Sequence, residues 1–201
     1  MIEHSPQTEE AIRILRKGGV VAYPTDTVYG LGAGMTHPEA VERIFAVKSR
    51  PRHMALPLLV STVAQIEMLA GRVSPEARCL IQSFMPGALT LVLPASGLVP
   101  EYLRTKEGTI ALRIPDHPIP LAIIEGIGTP IVGTSANLSG KPSPVTAEEV
   151  RSQLGDTVDF IIDAGGCGGK ESTIVDVTGQ TPVVVRSGAI SPEQIKAVFG
   201  R

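Results

Sequence analysis

Apolar positions recur along this chain at two spacings, and the alternation between them outlines the fold. Residues 8–17 carry Ala11, Ile12 and Leu15 on one helical side and run into Gly18-Gly19, which predicts a helix and its end. Residues 19–23 are a continuous apolar run halted by Pro24, which predicts a buried strand. The stretch 25–32, Thr-Asp-Thr-Val-Tyr-Gly-Leu-Gly, reads as a hydroxyl-rich loop. Residues 38–47 set Ala40, Val41, Ile44, Phe45 and Val47 on one helical side, bringing Lys48 and Arg50 just beyond the helix end. A strand over 56–60 and helices over 63–69 and 75–84 follow, with Cys79 expected on the apolar side of the second helix as core packing.

Pro86-Gly87-Ala88 then turns the chain into a strand over 89–93, and another strand over 109–114 carries Arg113 into the interior or a cleft. A short helix over 121–125 precedes a strand over 130–133 that delivers Ser135. Residues 140–144 form a Gly/Pro-rich surface loop before a helix over 147–154, with Thr146 as N-cap and Glu149 three residues on. Strands over 158–162, 173–177 and 183–185 and a last helix over 192–199 complete a mixed α/β order whose strand arrangement the pattern does not disclose. No internal repeat interrupts it.

At 201 residues and 43% hydrophobic composition, the chain is long enough for one sizeable core, and no composition break divides it, so a single domain over 1–201 is expected. A formal net charge of −2 argues against a surface that grips nucleic acid as a whole and leaves only local basic patches, the densest being Lys48, Arg50 and Arg52. Two distant cysteines, Cys79 and Cys167, lack metal-ligand spacing and fit a reduced, cytoplasmic setting. The charged first 18 residues do not resemble a signal peptide, and no apolar run reaches membrane-spanning length.

Two polar strings stand out as chemistry. Lys48-Ser-Arg50 puts a point charge and a planar fork beside each other at a helix end, a pairing suited to polyphosphate. Ser135-Ala-Asn137 projects a hydroxyl and an amide to the same side of extended chain. Gly165-Gly-Cys-Gly-Gly169-Lys170 imitates a phosphate loop but lacks the first glycine, at Ala164, and the hydroxyl residue, at Glu171; it reads as a flexible loop whose neighbour Ser172 faces a ligand. His4, His37, His53 and His117 show neither metal nor triad spacing, and Ser135 lacks the glycines of a nucleophile elbow.

Seven strings taken in order resemble the YrdC family of threonylcarbamoyl-AMP synthases: Tyr23-Pro-Thr-Asp-Thr-Val-Tyr-Gly-Leu31, Lys48-Ser-Arg-Pro51, Pro86-Gly87, Ala111-Leu-Arg-Ile-Pro115, Thr134-Ser-Ala-Asn-Leu-Ser-Gly140, Glu171-Ser-Thr173 and Arg186-Ser-Gly188. The resemblance implies a YrdC-like α/β domain, a twisted mixed sheet with flanking helices around a concave cleft. It implies condensation of L-threonine, bicarbonate or CO2, and ATP to threonylcarbamoyl-adenylate and pyrophosphate, with Mg²⁺ accompanying ATP. The product would serve tRNA N6-threonylcarbamoyladenosine synthesis through a separate transferase.

By the same resemblance, Lys48, Arg50, Ser135 and Asn137 form the catalytic group. Thr25, Arg113, Ser135 and Ser172 would bind L-threonine, and Lys48, Arg50, Thr109, Asn137, Val145 and Arg186 would bind ATP. Val145 stands where a small hydroxyl residue is common, so its backbone would make the contact. Arg52-His53-Met54-Ala55 is unusually apolar for the family. Longer members add a C-terminal domain, and this chain resembles the short type. A non-catalytic double-stranded RNA or tRNA-binding module of the same fold is the alternative; the 3% aromatic content gives it little base-stacking equipment. A carbamoyl-adenylate domain of hydrogenase maturation factors would require companion domains for which 201 residues leave no room.

Overall fold

The computed structural model describes residues 5–50 and 56–200, so Arg52 and the stretch 52–55 lie outside the described residues. In chain order the elements are α1 Pro6–Arg16, β1 Val21–Tyr23, β2 Gly30–Gly34, α2 Pro38–Lys48, β3 Leu58–Leu59, α3 Val63–Leu69, α4 Pro75–Phe84, β4 Leu89–Pro94, β5 Thr109–Arg113, α5 Pro118–Ile127, β6 Ile131–Ser135, α6 Ala147–Leu154, β7 Phe160–Ile161, β8 Thr173–Asp176, β9 Val183–Arg186 and α7 Pro192–Ala197. The strands join one nine-stranded sheet in the order β7-β1-β2-β6-β3-β5-β4-β8-β9. Pairing is parallel for β1/β7, β3/β5 and β4/β8 and antiparallel elsewhere, the mixed α/β architecture expected.

Strand alternation sends neighbouring side chains to opposite faces. Ala22, Leu58, Val132, Leu89, Leu91, Ile110 and Leu112 join the large cluster built with α2, α3, α4, α6 and α7. Their neighbours Val21, Tyr23, Leu59 and Ile131 point the other way, to a smaller cluster with Ala11, Ile12 and Leu15 of α1 and Ile123 and Ile124 of α5. One face is therefore helix-covered along the sheet, and on the other the cluster with α1 and α5 takes strand residues from β1, β3, β6 and β7 and none from β4, β5, β8 or β9.

Several expectations need correction. Residues 30–32 are not loop: Gly30–Gly34 is a fully buried strand pairing with β1 and β6. The glycines are needed there, since a Cβ on Gly32 would lie 2.7 Å from the Val132 carbonyl oxygen and 2.8 Å from the Tyr23 hydroxyl. Lys48 is the last helical residue rather than one beyond the end, and Ser49 follows at φ 50°, in the left-handed region. Cys79 is exposed, because Ala77, Leu80 and Ile81 define the buried arc of α4 and position 79 falls outside it. Thr146 caps α6, but Glu149 accepts from the Val145 N–H instead of closing a box on Thr146.

His117, for which the spacing of histidines offered no role, caps α5: its Nδ1 accepts from Ile119 N at 3.2 Å. Burial lowers its pKa below the ordinary 6.5, against the opposing pull of Asp26 and Asp116. The folded state thus favours neutral imidazole, and this contribution to stability is present above about pH 6.5 and is lost as pH falls through the lower, folded value. His117→Asn should keep the cap and abolish this part of the acid sensitivity, whereas His117→Ala should cost about 1 kcal/mol at pH 8. Urea unfolding of the three proteins at pH 8 and pH 5.5 checks both.

Candidate active site

Beside the α1/α5 cluster, and sharing Tyr23 and Leu59 with it, the sheet surface forms a cavity of about 280 Å³. Gly30 and Gly133 keep its floor low, so that the Tyr23 ring lies against Gly30 and the Leu59 side chain against Gly133. Thr90 and Val92 of β4, Ala111 and Arg113 of β5, and Ile174 of β8 extend the same surface. The walls come from loops: Thr25 and Thr27 after β1, Arg50 after α2, and Glu171 and Ser172 before β8.

Arg113 organises one end. It is 6% exposed, and it donates from Nε to Gly87 O at 2.9 Å, from one terminal nitrogen to Thr27 Oγ1 at 3.0 Å and from the other to Asp26 Oδ1 at 2.6 Å. The turn at 86–88 and the loop after β1 are thereby pinned to the end of β5. Burial works against the Arg113 charge, and the Asp26 carboxylate supports it. Thr25 is buried, and its hydroxyl is spent on its own turn, donating to Val28 O at 2.7 Å and accepting from Thr27 N and Val28 N.

Arg186 organises the other end. Its guanidinium meets Glu171 Oε2 at 2.6 Å, Ser172 O at 2.9 Å and Ser172 Oγ at 3.1 Å. Ser172 Oγ also lies 2.9 Å from Thr90 Oγ1, and Glu171 takes a hydrogen bond from the Ser143 hydroxyl. The glycine-rich segment before it is a loop, as expected, and several of its backbone groups are tied to neighbouring segments. Cys167 N donates to Val145 O at 2.9 Å, Gly169 N donates to Thr27 O at 2.7 Å, and Tyr29 Oη donates to Gly165 O at 2.9 Å.

The Lys48/Arg50 and Ser135/Asn137 strings do come together, but as two layers. Arg50 and Ser135 line the cavity. Lys48, 2% exposed, and Asn137, 7% exposed, stand behind them. The Lys48 ammonium donates to Ser135 O, to Asn137 O at 2.8 Å and to Asn137 Oδ1 at 3.0 Å. Ser135 Oγ donates to the same Asn137 Oδ1 at 2.6 Å, and Asn137 Nδ2 donates to Leu138 O and Lys141 O. Of the remaining positions, Arg113, Thr25, Ser172 and Arg186 line the cavity, whereas Thr109 and Val145 do not. Thr109 pairs with the Thr105 hydroxyl, and both backbone groups of Val145 are taken, N–H by Glu149 and C=O by Cys167.

Sequence reasoning passed over Asp26, Thr27, Thr90 and Glu171. Asp26, Thr27 and Glu171 sit inside strings already singled out, and their roles follow only from the arginines that fold against them. Tyr23 is another: its buried hydroxyl has no hydrogen-bond partner among the described residues.

This fold has close counterparts. The Sua5/YciO/YrdC family model, described as "Telomere recombination", matches residues 13–188, and the chain belongs to that family. It is 44% identical over 200 residues to the threonylcarbamoyl-AMP synthase of Bacillus subtilis, covering 98% of this chain and 58% of that protein. Pyrococcus abyssi Sua5, solved in complex with L-threonine, superposes with TM-score 0.92 at 42% identity, over 96% of this chain and 57% of that one. Escherichia coli YciO superposes with TM-score 0.85 at 35% identity and 92% coverage of both chains. The chain thus spans under three-fifths of the length of the Bacillus and Pyrococcus relatives.

Because Arg113 and Asp26 form a mostly buried pair, with side chains 8% and 18% exposed, removing the cation strands the carboxylate and takes the Arg113 donor from the Gly87 carbonyl. Arg113→Met should lower unfolding free energy by about 3 kcal/mol. The double variant Arg113→Met, Asp26→Asn should recover part of that loss, as a denaturant-unfolding cycle on the four proteins would show.

Proposed function

We propose that this chain forms threonylcarbamoyl-adenylate and pyrophosphate from L-threonine, bicarbonate or CO2, and ATP, acting as a nucleotidyltransferase in the cytoplasm. The observation that carries the reading is one cavity in which Arg50, Arg113 and Arg186 surround Ser135 and Ser172. It is supported by family membership and by a relative solved with L-threonine. Three guanidinium groups over a small apolar floor suit a ligand with several negative oxygens and a small carbon skeleton.

In this reading the Arg113 fork and Ser172 take the threonine carboxylate, Thr25 shapes that pocket, and Arg50 and Arg186 take the phosphates. The threonine amine nitrogen attacks CO2 and releases a proton to water, giving a carbamate. A carbamate oxygen attacks the α-phosphorus while the bond to the pyrophosphate oxygen breaks, and pyrophosphate leaves with that electron pair. No protein nucleophile is required; the chain holds the reactants in line and offsets charge spreading over the phosphate oxygens. Ser135, with its hydroxyl held by Asn137, lies where the two substrates would meet. A nucleotide that also reached Thr109 would extend about 13 Å along β5 from Arg113, with the Val145 loop beside it.

Among the described residues no three carboxylates, histidines or cysteines gather into a metal site; Glu171, the carboxylate that lines the cavity, is held by Arg186, and Asp26 is held by Arg113. That donor set fits Mg²⁺ carried in on the polyphosphate, where it would neutralise phosphate charge. The adenylate would be handed to a separate tRNA-modifying transferase.

Pyrophosphate release from Mg–ATP and bicarbonate should depend on L-threonine, and mass analysis of the nucleotide product should find threonylcarbamoyl-adenylate. Arg50→Ala should reduce the rate by about 100-fold with the fold intact. Folded protein that releases no pyrophosphate yet retains structured RNA would instead establish the binding-module alternative.

A further inference from the structure

Lys48 closes around the segment 135–139 from two sides. Its ammonium is spent on three carbonyl oxygens, those of the Ser135 and Asn137 backbones and the Asn137 side chain, which matches the donor count of a lysine. Its own carbonyl accepts from Ser139 N at 2.9 Å. The chain then turns through Ser49 in the left-handed region, with Ser49 N and Arg50 N bonded back to Ala46 O and Phe45 O, and sends Arg50 to the cavity wall. A single residue thus joins the end of α2 to the end of β6 and stands behind both groups, Arg50 and Ser135, that face the cavity.

We propose that Lys48 is a positioning residue: it sets the spacing of Arg50 and Ser135 by gripping the 135–139 segment, and its ammonium does not contact the bound ligand. Two observations agree with this. Lys48 is 2% exposed and is absent from the cavity wall, so a phosphate would reach it only by displacing the chain it holds. Burial and the nearby Arg50 pull its pKa down from 10.5 to about 8, with Glu171 opposing, while the three carbonyls favour the charged form. An unpaired ammonium at that depth would be costly, so the grip and the charge maintain each other.

The inference rests on the nucleotide-site reading only for its ligand arm. Wild-type protein is treated with formaldehyde and cyanoborohydride, with and without Mg²⁺ and the α,β-methylene analogue of ATP, and lysine dimethylation is read by mass spectrometry. Lys17, Lys106, Lys141, Lys170 and Lys196, all exposed, should be modified under both conditions. Lys48 should be unmodified under both. Modification of Lys48 in the free protein, whether or not the analogue blocks it, overturns the proposal, as does modification that appears only when the analogue is bound. Calorimetry with the same analogue reports on the site separately: no binding counts against the nucleotide reading while the free-protein result still decides the fate of Lys48.

Lys48→Met supplies a second readout. Hydrogen exchange of amides in 135–139 should rise at least tenfold in this variant with α1 unchanged. Unchanged exchange there would show that Lys48 does not hold the segment and would also overturn the proposal.

Discussion

Unequal burial of the two sheet faces is the constraint on which the rest of this structure depends. A broad mixed sheet has to cover both faces with apolar partners or leave one partly open to water. Here five helices contribute to the cluster on one face, and two contribute to the cluster on the other. The strand residues beyond that second cluster, Thr90, Val92, Ala111, Arg113 and Ile174, face the cavity instead of a helix. Alternation then decides chemistry: the partners of Leu91 and Leu112 are core residues, and one position along, the side chains are a hydroxyl, a guanidinium or the small apolar groups of Val92 and Ala111.

How far the chain could be read in advance follows from the same physics. Helices α3 and α4 occupy the spans that periodicity predicts, and in the structure Thr62 and Ser74 each close the first turn with a side-chain hydrogen bond. The strand β2 was illegible because Gly-Leu-Gly-Ala-Gly has the composition of a turn; only the Tyr23 ring lying against it explains why small residues belong in a strand. Cys79 shows the opposite failure. Its residue type argued for burial, and its angular position on the helix, set by Ala77, Leu80 and Ile81, overrode that.

The site was legible as a set of strings and illegible as a set of contacts. Lys48, Arg50, Ser135 and Asn137 do assemble, yet two of them face the cavity and two stand behind it, a division that spacing along the chain does not carry. Thr25 and Arg186 have locally satisfied partners of the kind that ordinary turn and ion-pair chemistry provides, and they line the cavity all the same. A residue can hold its own loop and still present a surface to a ligand, so the two readings of such a position are not exclusive.

The Arg113–Asp26 and Arg186–Glu171 pairs also bear on which anions the cavity would keep. Each guanidinium already has a carboxylate of its own, so a small free anion such as chloride or inorganic phosphate would meet a cation that is largely neutralised. Such an anion gains little by entering, because it must either share the arginine with a like charge or push that charge away. A larger ligand that bridges both ends of the cavity can compensate for two such rearrangements with contacts along the floor between them. The ion pairs would therefore act as a threshold at the two ends of the cavity, where a ligand gains most by engaging both arginines at once, with Arg50 as the further cation that it must fit.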